Sequence, residues 1–331
     1  MITVEAVDSR SERGVSIREE NQGPRVAVLI PCYNEELAVE RVVRDFRRAL
    51  PRATIYVYDN NSVDRTRELA ARSGAVVRVE PLQGKGNVVR RMFADIEADA
   101  YVLVDGDDTY HADSAPGMVR ALLDNQLDMV SGRRVTDVAA AYRPGHRFGN
   151  VLLTTIVAAI FGKRFDDMLS GYRVFSRRFV KSFPALARGF EIETELTVHT
   201  LELRMPTLEF DTPYKDRPLG SQSKLRTYLD GLRILKTIIR LVQEERPLQF
   251  FGAFFLTLVV FSLTISVPVF VDYAKTGLVP RLPTAVLATG TMLLGFLSLA
   301  AGVILDTVTL GRREAKRMRY LEIPAPDVER P

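Results

Sequence analysis

The pattern that most directly suggests chemistry is a pair of acidic side chains, Asp105 and Asp107, separated by one glycine. The pair follows an aliphatic run at 102–104, which predicts a short buried strand. Ligands of open α/β sheets bind just beyond such strand ends, and Gly106 allows the backbone to approach a ligand closely. Two carboxylates at this place favour Mg²⁺ or Mn²⁺, held together with substrate phosphates. An isolated Asp-Gly-Asp is equally typical of a solvated acidic turn.

The segments around this pair indicate how it is positioned. Short apolar runs predict strands near residues 25–30, 53–58, 75–79, 101–104 and 128–131. Between them, apolar residues recur at helical spacing, for example Val39, Val42, Val43 and Phe46. Strands that alternate with helices are typical of parallel βαβ units. The sequence therefore predicts an α/β fold with a mostly parallel sheet and helices on both faces.

Polar side chains follow several of the predicted strands. They are Glu35, Asp59, Lys85, Asp105 and Asp107. A nucleotide can be held at such an edge, with acids on the base and ribose and a metal on the diphosphate. Each acid alone is also a reasonable helix cap. Neither a P-loop nor a Gly-x-Gly-x-x-Gly after the first strand is found, which argues against those two binding modes.

Composition limits the classes of function. The 331 residues suit one large domain, or one domain with an appendage, and the formal charge of +4 gives no argument for nucleic acid. The single cysteine, Cys32, excludes a disulfide framework. The first 23 residues are polar and of mixed charge, which predicts a flexible tail instead of a signal peptide.

Two uncharged apolar runs, 250–271 and 282–305, are each long enough to cross a bilayer. The short connector 272–281 makes them a helical hairpin. Cations are concentrated on the two outer flanks, namely Arg233, Lys236, Arg240 and Arg246 before the first run and Arg312, Arg313, Lys316, Arg317 and Arg319 after the second. The positive-inside rule therefore predicts that both flanks are cytoplasmic.

Two further apolar segments are open to more than one interpretation. Residues 225–242 have apolar positions at helical spacing and cations on the other surface, which favours an interfacial helix, although a surface helix packed on the sheet also fits. The run 150–161 is too short to span a bilayer and is either a buried core helix or a helix at the membrane. The acids Glu191, Glu193 and Glu195 have the period of a strand but precede a helical pattern.

Seven motifs, taken in this order, resemble the family 2 glycosyltransferases of the GT-A fold. More narrowly, they resemble the polyprenyl-phosphate (dolichol-phosphate) glycosyltransferases. The resemblance covers about residues 24–245. The motifs are Ile30-Pro31-Cys32-Tyr33-Asn34-Glu35-Glu36, Asp59-Asn60-Asn61-Ser62, Gly84-Lys85-Gly86, Asp105-Gly106-Asp107, Ser131-Gly132-Arg133, Asp167-Met-Leu-Ser170-Gly171-Tyr172-Arg173 and Arg217-Pro-Leu-Gly220-Ser221-Gln222-Ser223-Lys224.

For the donor, the resemblance implies that Pro31, Tyr33, Glu35 and Asp59 belong to the nucleotide pocket. It also implies that the aspartate pair binds the metal on the sugar diphosphate. Cationic contacts to the phosphates are expected from Lys85, Arg217 and Lys224, since arginine binds phosphate through two nitrogens. Many relatives have one residue fewer before the serine–lysine pair, so the roles of Ser221 and Ser223 stay open.

For the acceptor, the resemblance implies that Arg133 and Arg147 hold a lipid phosphate and that Asp167 is the base or an orienting carboxylate. Glu193 is the rival candidate for the base. Ordinary surface charge is the alternative for the two arginines, and a helix cap is the alternative for Asp167.

We therefore expect a metal-dependent, inverting glycosyltransferase of the cytoplasmic membrane that moves one sugar from a UDP- or GDP-sugar to a polyprenyl phosphate. The alternatives are a glycolipid hydroxyl as acceptor and a non-catalytic scaffold that binds nucleotide sugars; a homo-oligomer stays open. A processive synthase is disfavoured because its Gln-x-x-Arg-Trp motif needs a tryptophan, which the chain lacks. The expected parts are a tail (1–23), a catalytic domain (24–224), an interfacial helix (225–247), a transmembrane hairpin (248–311) and a basic tail (312–331).

Overall fold

The computed structural model describes residues 23–135, 165–189, 191–215 and 239–325, with the single positions 155, 157 and 236. These residues form one sheet with flanking helices, followed by two long apolar helices. The strands are β1 (Val26–Cys32), β2 (Thr54–Asp59), β3 (Val76–Val79), β4 (Ala100–Leu103), β5 (Met129–Val135), β6 (Arg173–Ser176) and β7 (Thr207–Pro213). The helices are α1 (Val39–Ala49), α2 (Thr66–Arg72), α3 (Lys85–Asp95), α4 (Ala115–Asp124), α5 (Arg177–Ser182), α6 (Ile192–Glu202), α7 (Pro247–Thr276) and α8 (Leu282–Leu321), with a 3₁₀ turn at Ala112–Ser114.

The sheet has seven strands in the order β3-β2-β1-β4-β6-β5-β7. The pairs β1–β2, β1–β4, β2–β3 and β5–β7 are parallel. Among the described strands, β6 alone runs antiparallel to its neighbours β4 and β5. The predicted α/β fold with a mostly parallel sheet is confirmed.

Strand β4 shows how the sheet is buried on both faces. Tyr101 and Leu103 belong to the core cluster that includes side chains of α3, α5 and α6. Val102 belongs to the other cluster, with side chains of α1 and α4. Successive strand residues point to opposite faces, so an unbroken apolar run is what a two-sided core requires.

The acidic segment at 191–195 forms the start of a helix, with Glu191 as the residue before it. Its period-two pattern fits a strand, but Ile192–Glu202 is α6, and Glu193 is buried within its first turn. The following residues Leu196 and Leu201 pack into the core, and this burial outweighs the local alternation of the acids.

Helices α7 and α8 are long and apolar enough to cross a membrane, by their length and composition. They pack against each other through small polar side chains as well as apolar ones. The Ser262 hydroxyl donates a hydrogen bond to the carbonyl of Ala288 at 2.7 Å, and the Ser298 hydroxyl donates to that of Phe251 at 3.1 Å. Most of their other large apolar side chains are exposed, among them Phe254, Phe261, Leu287, Leu294 and Phe296.

The last part of α8, which we call the polar end of α8 (residues 309–321), leaves the apolar pair and lies against the sheet domain. Lys316 Nζ is 2.6 Å from a carboxylate oxygen of Glu202 at the end of α6. The Tyr320 hydroxyl donates to Asp128 at 2.8 Å, just before β5. Part of the basic run that follows the second apolar segment therefore contacts acids of the sheet domain.

Several predicted segments lie wholly or mainly outside the described residues. Residues 1–22 and 326–331 are among them, and so is most of the predicted interfacial helix, of which residues 236 and 239–245 are helical. Of the apolar run 150–161, only Thr155 and Val157 are described; both are helical, and Val157 is buried.

Candidate active site

The carboxyl ends of β1, β2 and β4 lie side by side because these strands are parallel neighbours. Cys32 at the end of β1 pairs with Asp59 at the end of β2, and Leu29 pairs with Leu103 near the end of β4. The loops that follow carry the polar side chains noted in the sequence. The register therefore brings the segments around Glu35, Asp59 and Asp105 to one edge of the sheet.

The loops after β1 and β2 are joined to each other. The Ser62 hydroxyl accepts a hydrogen bond from the amide of Asn34 at 2.8 Å, and Asn34 accepts one from the amide of Val63 at 2.9 Å. The Thr66 hydroxyl accepts from the amide of Glu35 at 2.8 Å. Pro31 and Tyr33 belong to the same segment. These hydrogen bonds fix the segment in place, and it forms one wall of the strand-end site.

Asp59 has an unsatisfied oxygen. Its side chain is fully buried, and one carboxylate oxygen accepts from the Ser62 amide at 3.1 Å and lies 3.6 Å from Arg67. The other oxygen, Oδ1, is buried and has no hydrogen-bond partner. A buried acceptor without a donor costs stability unless a ligand satisfies it. This oxygen suits an N–H or O–H donor of a bound nucleotide.

Asn60 connects this wall to the segment before α3. Its side-chain amide donates to the carbonyls of Glu80 and Leu82 at 2.9 and 2.8 Å, and its oxygen accepts from the amide of Gly84 at 2.7 Å. Lys85 follows as the first residue of α3. Three strand-end segments are thus fixed to one another by side-chain hydrogen bonds.

Lys85 lies between two carboxylates that are far apart in sequence. Its Nζ is 2.5 Å from Asp105 Oδ1 and 2.5 Å from Glu193 Oε1. Burial alone would lower the pKa of Lys85, but the attraction of Asp105 and Glu193 outweighs it and raises the pKa above its ordinary value. Lys85 is therefore a cation. Burial also raises the pKa of Glu193, and Lys85 opposes that only in part.

The aspartate pair is tightly packed. A side chain at position 106 would meet the Cys32 sulfur at 2.6 Å, which explains the glycine between the acids. One at position 171 would lie 2.3 Å from Asp105 Oδ2, so the Ser170-Gly171 turn closes directly over that oxygen. The Thr109 hydroxyl donates to Asp107 Oδ1 at 2.7 Å and orients that carboxylate.

The acid pair fits a divalent cation only with further ligands. Within the described part of the chain, no group of three or more His, Cys, Asp or Glu side chains is arranged to hold a metal ion. Asp107 and Asp105 supply the hard oxygens that Mg²⁺ and Mn²⁺ prefer. The remaining ligands would come from a bound diphosphate and water, which is the usual way in which Mg²⁺ is held.

Two consecutive arginines of β5 form a second polar group. Arg133 is partly exposed and contacts Asp211 through two hydrogen bonds of 2.7 and 2.9 Å, with Asp166 at 3.2 Å. Arg134 is more buried and donates two hydrogen bonds of 2.7 Å to Asp167. Sequence reasoning singled out Arg133 and missed Arg134, although both lie next to the same motif.

Asp167 is held as a carboxylate. Its burial would raise the pKa, but the hydrogen bonds and charge of Arg134 outweigh this and hold the pKa below its ordinary value. A general base is most effective when its pKa lies near the working pH. This environment suits an orienting carboxylate better than a base.

The two polar groups are connected through aromatic rings. The guanidinium of Arg134 lies 5.5 Å from the ring centre of Tyr214, whose ring is 5.3 Å from that of Tyr110. The Tyr110 hydroxyl accepts from the amide of Gly171 at 2.9 Å, directly beside Asp105. Arg134 and the turn beside Asp105 are therefore linked by a chain of contacting side chains.

Of the remaining predicted site residues, Arg147, Arg217 and Lys224 lie outside the described part of the chain. Arg173 is a further residue that sequence reasoning did not assign. It is fully buried, donates to the Thr197 hydroxyl at 2.8 Å and to the carbonyl of Ser170 at 3.0 Å, and so holds the 168–171 turn against α6. Burial lowers its pKa to about 10.

The sequence and the fold are similar to those of known proteins. Residues 27–183 match the model of glycosyl transferase family 2. Glycosyltransferase AglJ of Haloferax volcanii is 34% identical over 304 residues, which cover 90% of this chain and 98% of that protein. The chain therefore belongs to glycosyl transferase family 2.

Two other proteins are similar to part of this chain. The dolichyl-phosphate hexose transferase of Haloferax volcanii is 28% identical over 221 residues, covering 67% of this chain and 95% of that protein. The crystal structure of glucosyl-3-phosphoglycerate synthase from Mycobacterium tuberculosis with Mn²⁺, UDP and glucosyl-3-phosphoglycerate gives a TM-score of 0.52 at 24% identity and covers 67% of this chain and 80% of that one. The likeness shows the fold, which is GT-A.

Proposed function

We propose that this protein is a metal-dependent, inverting glycosyltransferase that moves one sugar from a UDP- or GDP-sugar to a polyprenyl phosphate at the cytoplasmic face of a membrane. The observation that carries this proposal is the docking of α8, which connects the domain that holds the strand-end polar site to a pair of apolar helices. Lys316 and Tyr320 of α8 contact Glu202 and Asp128 of the sheet domain.

The donor half of the proposal rests on the edge formed by β1, β2 and β4. The unsatisfied oxygen of Asp59 suits the nucleotide, and Lys85 beside Asp105 suits the diphosphate. A divalent cation bound by Asp107 would neutralise the charge that develops on the departing diphosphate. A protein of the same fold, glucosyl-3-phosphoglycerate synthase, has been crystallised with Mn²⁺ and UDP, which supports this assignment.

The acceptor half rests on the arginines of β5. A phosphate is already anionic, so its attack on the anomeric carbon needs cations for positioning more than it needs a base. Arg133 supplies a partly exposed guanidinium group near the end of β5, and Arg134 beside it holds the carboxylate of Asp167 in place. The relative named as a dolichyl-phosphate hexose transferase supports a lipid phosphate. Arg147 is expected to take part as well.

A hydroxyl acceptor, such as a glycolipid, would need a general base. Asp167 is held as a carboxylate by Arg134, with a lowered pKa, which makes it a weak candidate. Glu193 has a raised pKa but is already in contact with Lys85. Each carboxylate is thus already paired with a cation, which favours the phosphate acceptor over the hydroxyl.

The proposed division of the chain follows from this function. Residues 24–224 form the catalytic domain, 225–247 an interfacial helix, and 248–311 a transmembrane hairpin. The flanks of the hairpin and the basic segment 312–331 lie on the cytoplasmic side with the catalytic domain.

The experiment that tests the proposal is mass spectrometry of the lipids made by the purified, full-length protein. It would be given Mn²⁺ or Mg²⁺, a panel of UDP- and GDP-sugars, and either a polyprenyl phosphate or a glycolipid. We expect a polyprenyl-phosphate monosaccharide with one of the donors. A glycolipid product in place of it would show a hydroxyl acceptor, and the absence of any transfer across the panel would favour a non-catalytic binding protein.

A further inference from the structure

Glu193 and Lys85 form a contact that no local pattern in the sequence suggests, since the two residues are 108 positions apart. Glu193 lies in the first turn of α6 and Lys85 in the first turn of α3. Both side chains are only 9% exposed, whereas the side chain of Asp105, which also contacts Lys85, is 30% exposed. Glu193 therefore contacts the Lys85 ammonium group from the protein interior, and Asp105 contacts it from the more solvent-exposed side.

A series of hydrogen bonds connects Glu193 to the turn before β6. Its backbone carbonyl accepts a hydrogen bond from the Thr197 hydroxyl at 3.0 Å, and the same hydroxyl accepts from the buried Arg173 at 2.8 Å. Arg173 in turn donates to the carbonyl of Ser170, next to the glycine that closes over Asp105. The position of Glu193 is thus fixed by the same turn that fixes Asp105.

We propose that Glu193 is a positioning residue for the donor: it fixes Lys85 so that the ammonium group, shared with Asp105, faces the diphosphate of the nucleotide sugar. A lysine side chain is flexible, and fixing it before the ligand binds removes an ordering cost from binding. This inference rests on the proposed function, and it gives Glu193 a role other than that of a general base.

The test is the binding of UDP and of GDP, measured by calorimetry on the full-length protein in detergent with Mn²⁺ present. The variants are Glu193→Gln, Lys85→Gln and the double variant. We expect Glu193→Gln to weaken the binding of the preferred nucleotide by about tenfold, as for the loss of one charge-assisted contact. Because Glu193 acts through Lys85, the double variant should bind no more weakly than Lys85→Gln alone.

The chain supplies a matched control in Glu202. It lies on the same helix, its side chain is 2% exposed, and it also contacts a lysine, Lys316, at 2.6 Å. Glu202→Gln should lower the thermal midpoint of unfolding while nucleotide affinity stays at the parent value. Glu193→Asp keeps the charge and should restore part of the affinity that Glu193→Gln loses.

Each outcome decides between the roles. If the parent protein binds neither UDP nor GDP, the proposed function itself fails. If the parent binds and Glu193→Gln retains full affinity while kcat falls, Glu193 is a base and the positioning role is wrong. Equal losses of affinity in Glu193→Gln and Glu202→Gln, or fully additive losses in the double variant, would also overturn it.

Discussion

Arg133 and Arg134 are adjacent in sequence, but their positions on β5 give them different surroundings. Successive strand residues point to opposite sides. Arg133 meets Asp211 at a partly exposed position, whereas Arg134 meets the buried Asp167. Removing Arg134 would leave a buried carboxylate unpaired, which typically costs about 3–5 kcal/mol of stability. Arg133 is therefore the better position at which to test acceptor binding without loss of the fold.

Arg133→Ala is expected to weaken use of the lipid acceptor by roughly tenfold to a hundredfold, the equivalent of a charge-assisted contact of about 1.5–3 kcal/mol. Steady-state kinetics with varied polyprenyl phosphate should show a raised KM or a lowered kcat/KM, with nucleotide affinity close to the parent value. Arg177→Ala, which removes another partly exposed arginine paired with an acid, is the control. Loss of nucleotide binding with normal acceptor dependence would place Arg133 in the donor site.

Asp107→Asn is expected to abolish transfer while the fold is retained, since a neutral amide is a poor ligand for a hard cation. Electron paramagnetic resonance of free Mn²⁺, with UDP or GDP present, should show weakened metal binding. Asp128→Asn is the control, because Asp128 is also buried but precedes β5 at the opposite edge of the sheet. Metal-dependent transfer near the parent level in Asp107→Asn would contradict the assignment.

The acids and the lysine of the strand-end site were predictable from sequence because each follows an apolar run that forms a strand. Their contacts were not. Lys85 meets Glu193 only because α3 and α6 begin near each other, and this depends on the packing of the whole sheet. Likewise, no local pattern shows which of Arg133 and Arg134 pairs with Asp167, because this depends on which side of β5 faces Asp167.

The 11 residues of helix α6 contact two different parts of the molecule, the strand-end site and α8. Its first turn holds Glu193 beside Lys85, and its last residue, Glu202, contacts Lys316 of α8. Between them, His199 is buried with its ring edge-on to Phe179 and Phe183. The helix therefore links the donor site to the segment on which α8 docks.

Stability is expected to fall as the pH decreases below about 6.5, because of His199. Burial, with a smaller effect of Lys316, lowers its pKa from 6.5 to about 3. Since the folded pKa lies below the unfolded one, the unfolded chain takes up the proton first, and stability is full only above about pH 6.5. The loss should be up to about 1.4 kcal/mol per pH unit below that value.

Thermal unfolding in detergent between pH 7.5 and pH 5.5 measures this effect, and His199→Gln should make the decrease smaller. His111→Gln is the control, because His111 lies at a partly exposed position before the 3₁₀ turn. An identical pH dependence in His199→Gln and the parent protein would show that His199 is not the titrating group.

At the level of elements, the strands β1 to β4 and the helices α1 and α3 were predictable, because their apolar periods continue over whole elements. Strands β6 and β7 were not. Strand β6 runs between β4 and β5 against their direction, so its pairing comes from residues far away in sequence. The alternation of the three acids suggests a strand, but the segment is helical because the apolar residues that follow pack into the core as part of α6.

For the whole molecule, the connector between α7 and α8 is expected to lie outside the cytoplasm. The sole cysteine, Cys32, is buried, so an introduced cysteine can be labelled selectively. Leu278→Cys, at an exposed connector position, should react with a membrane-impermeant maleimide on intact cells. Glu322→Cys, at the far end of α8, should react only after the membrane is opened. The reverse pattern would overturn the proposed orientation.

Because α8 is continuous, the direction in which its polar end faces is set by its apolar segment. The helix runs for 40 residues without a break, a length of about 60 Å. Each residue turns an α-helix by about 100°, so the apolar segment and the polar end of α8 have one fixed angular relation. One residue inserted between 303 and 308 would turn Lys316 and Tyr320 away from their partners Glu202 and Asp128. Seven inserted residues make nearly two whole turns, so the two side chains would again point in nearly the same direction, about 10 Å further along the helix axis. In this stretch, the number of residues matters as much as their identity.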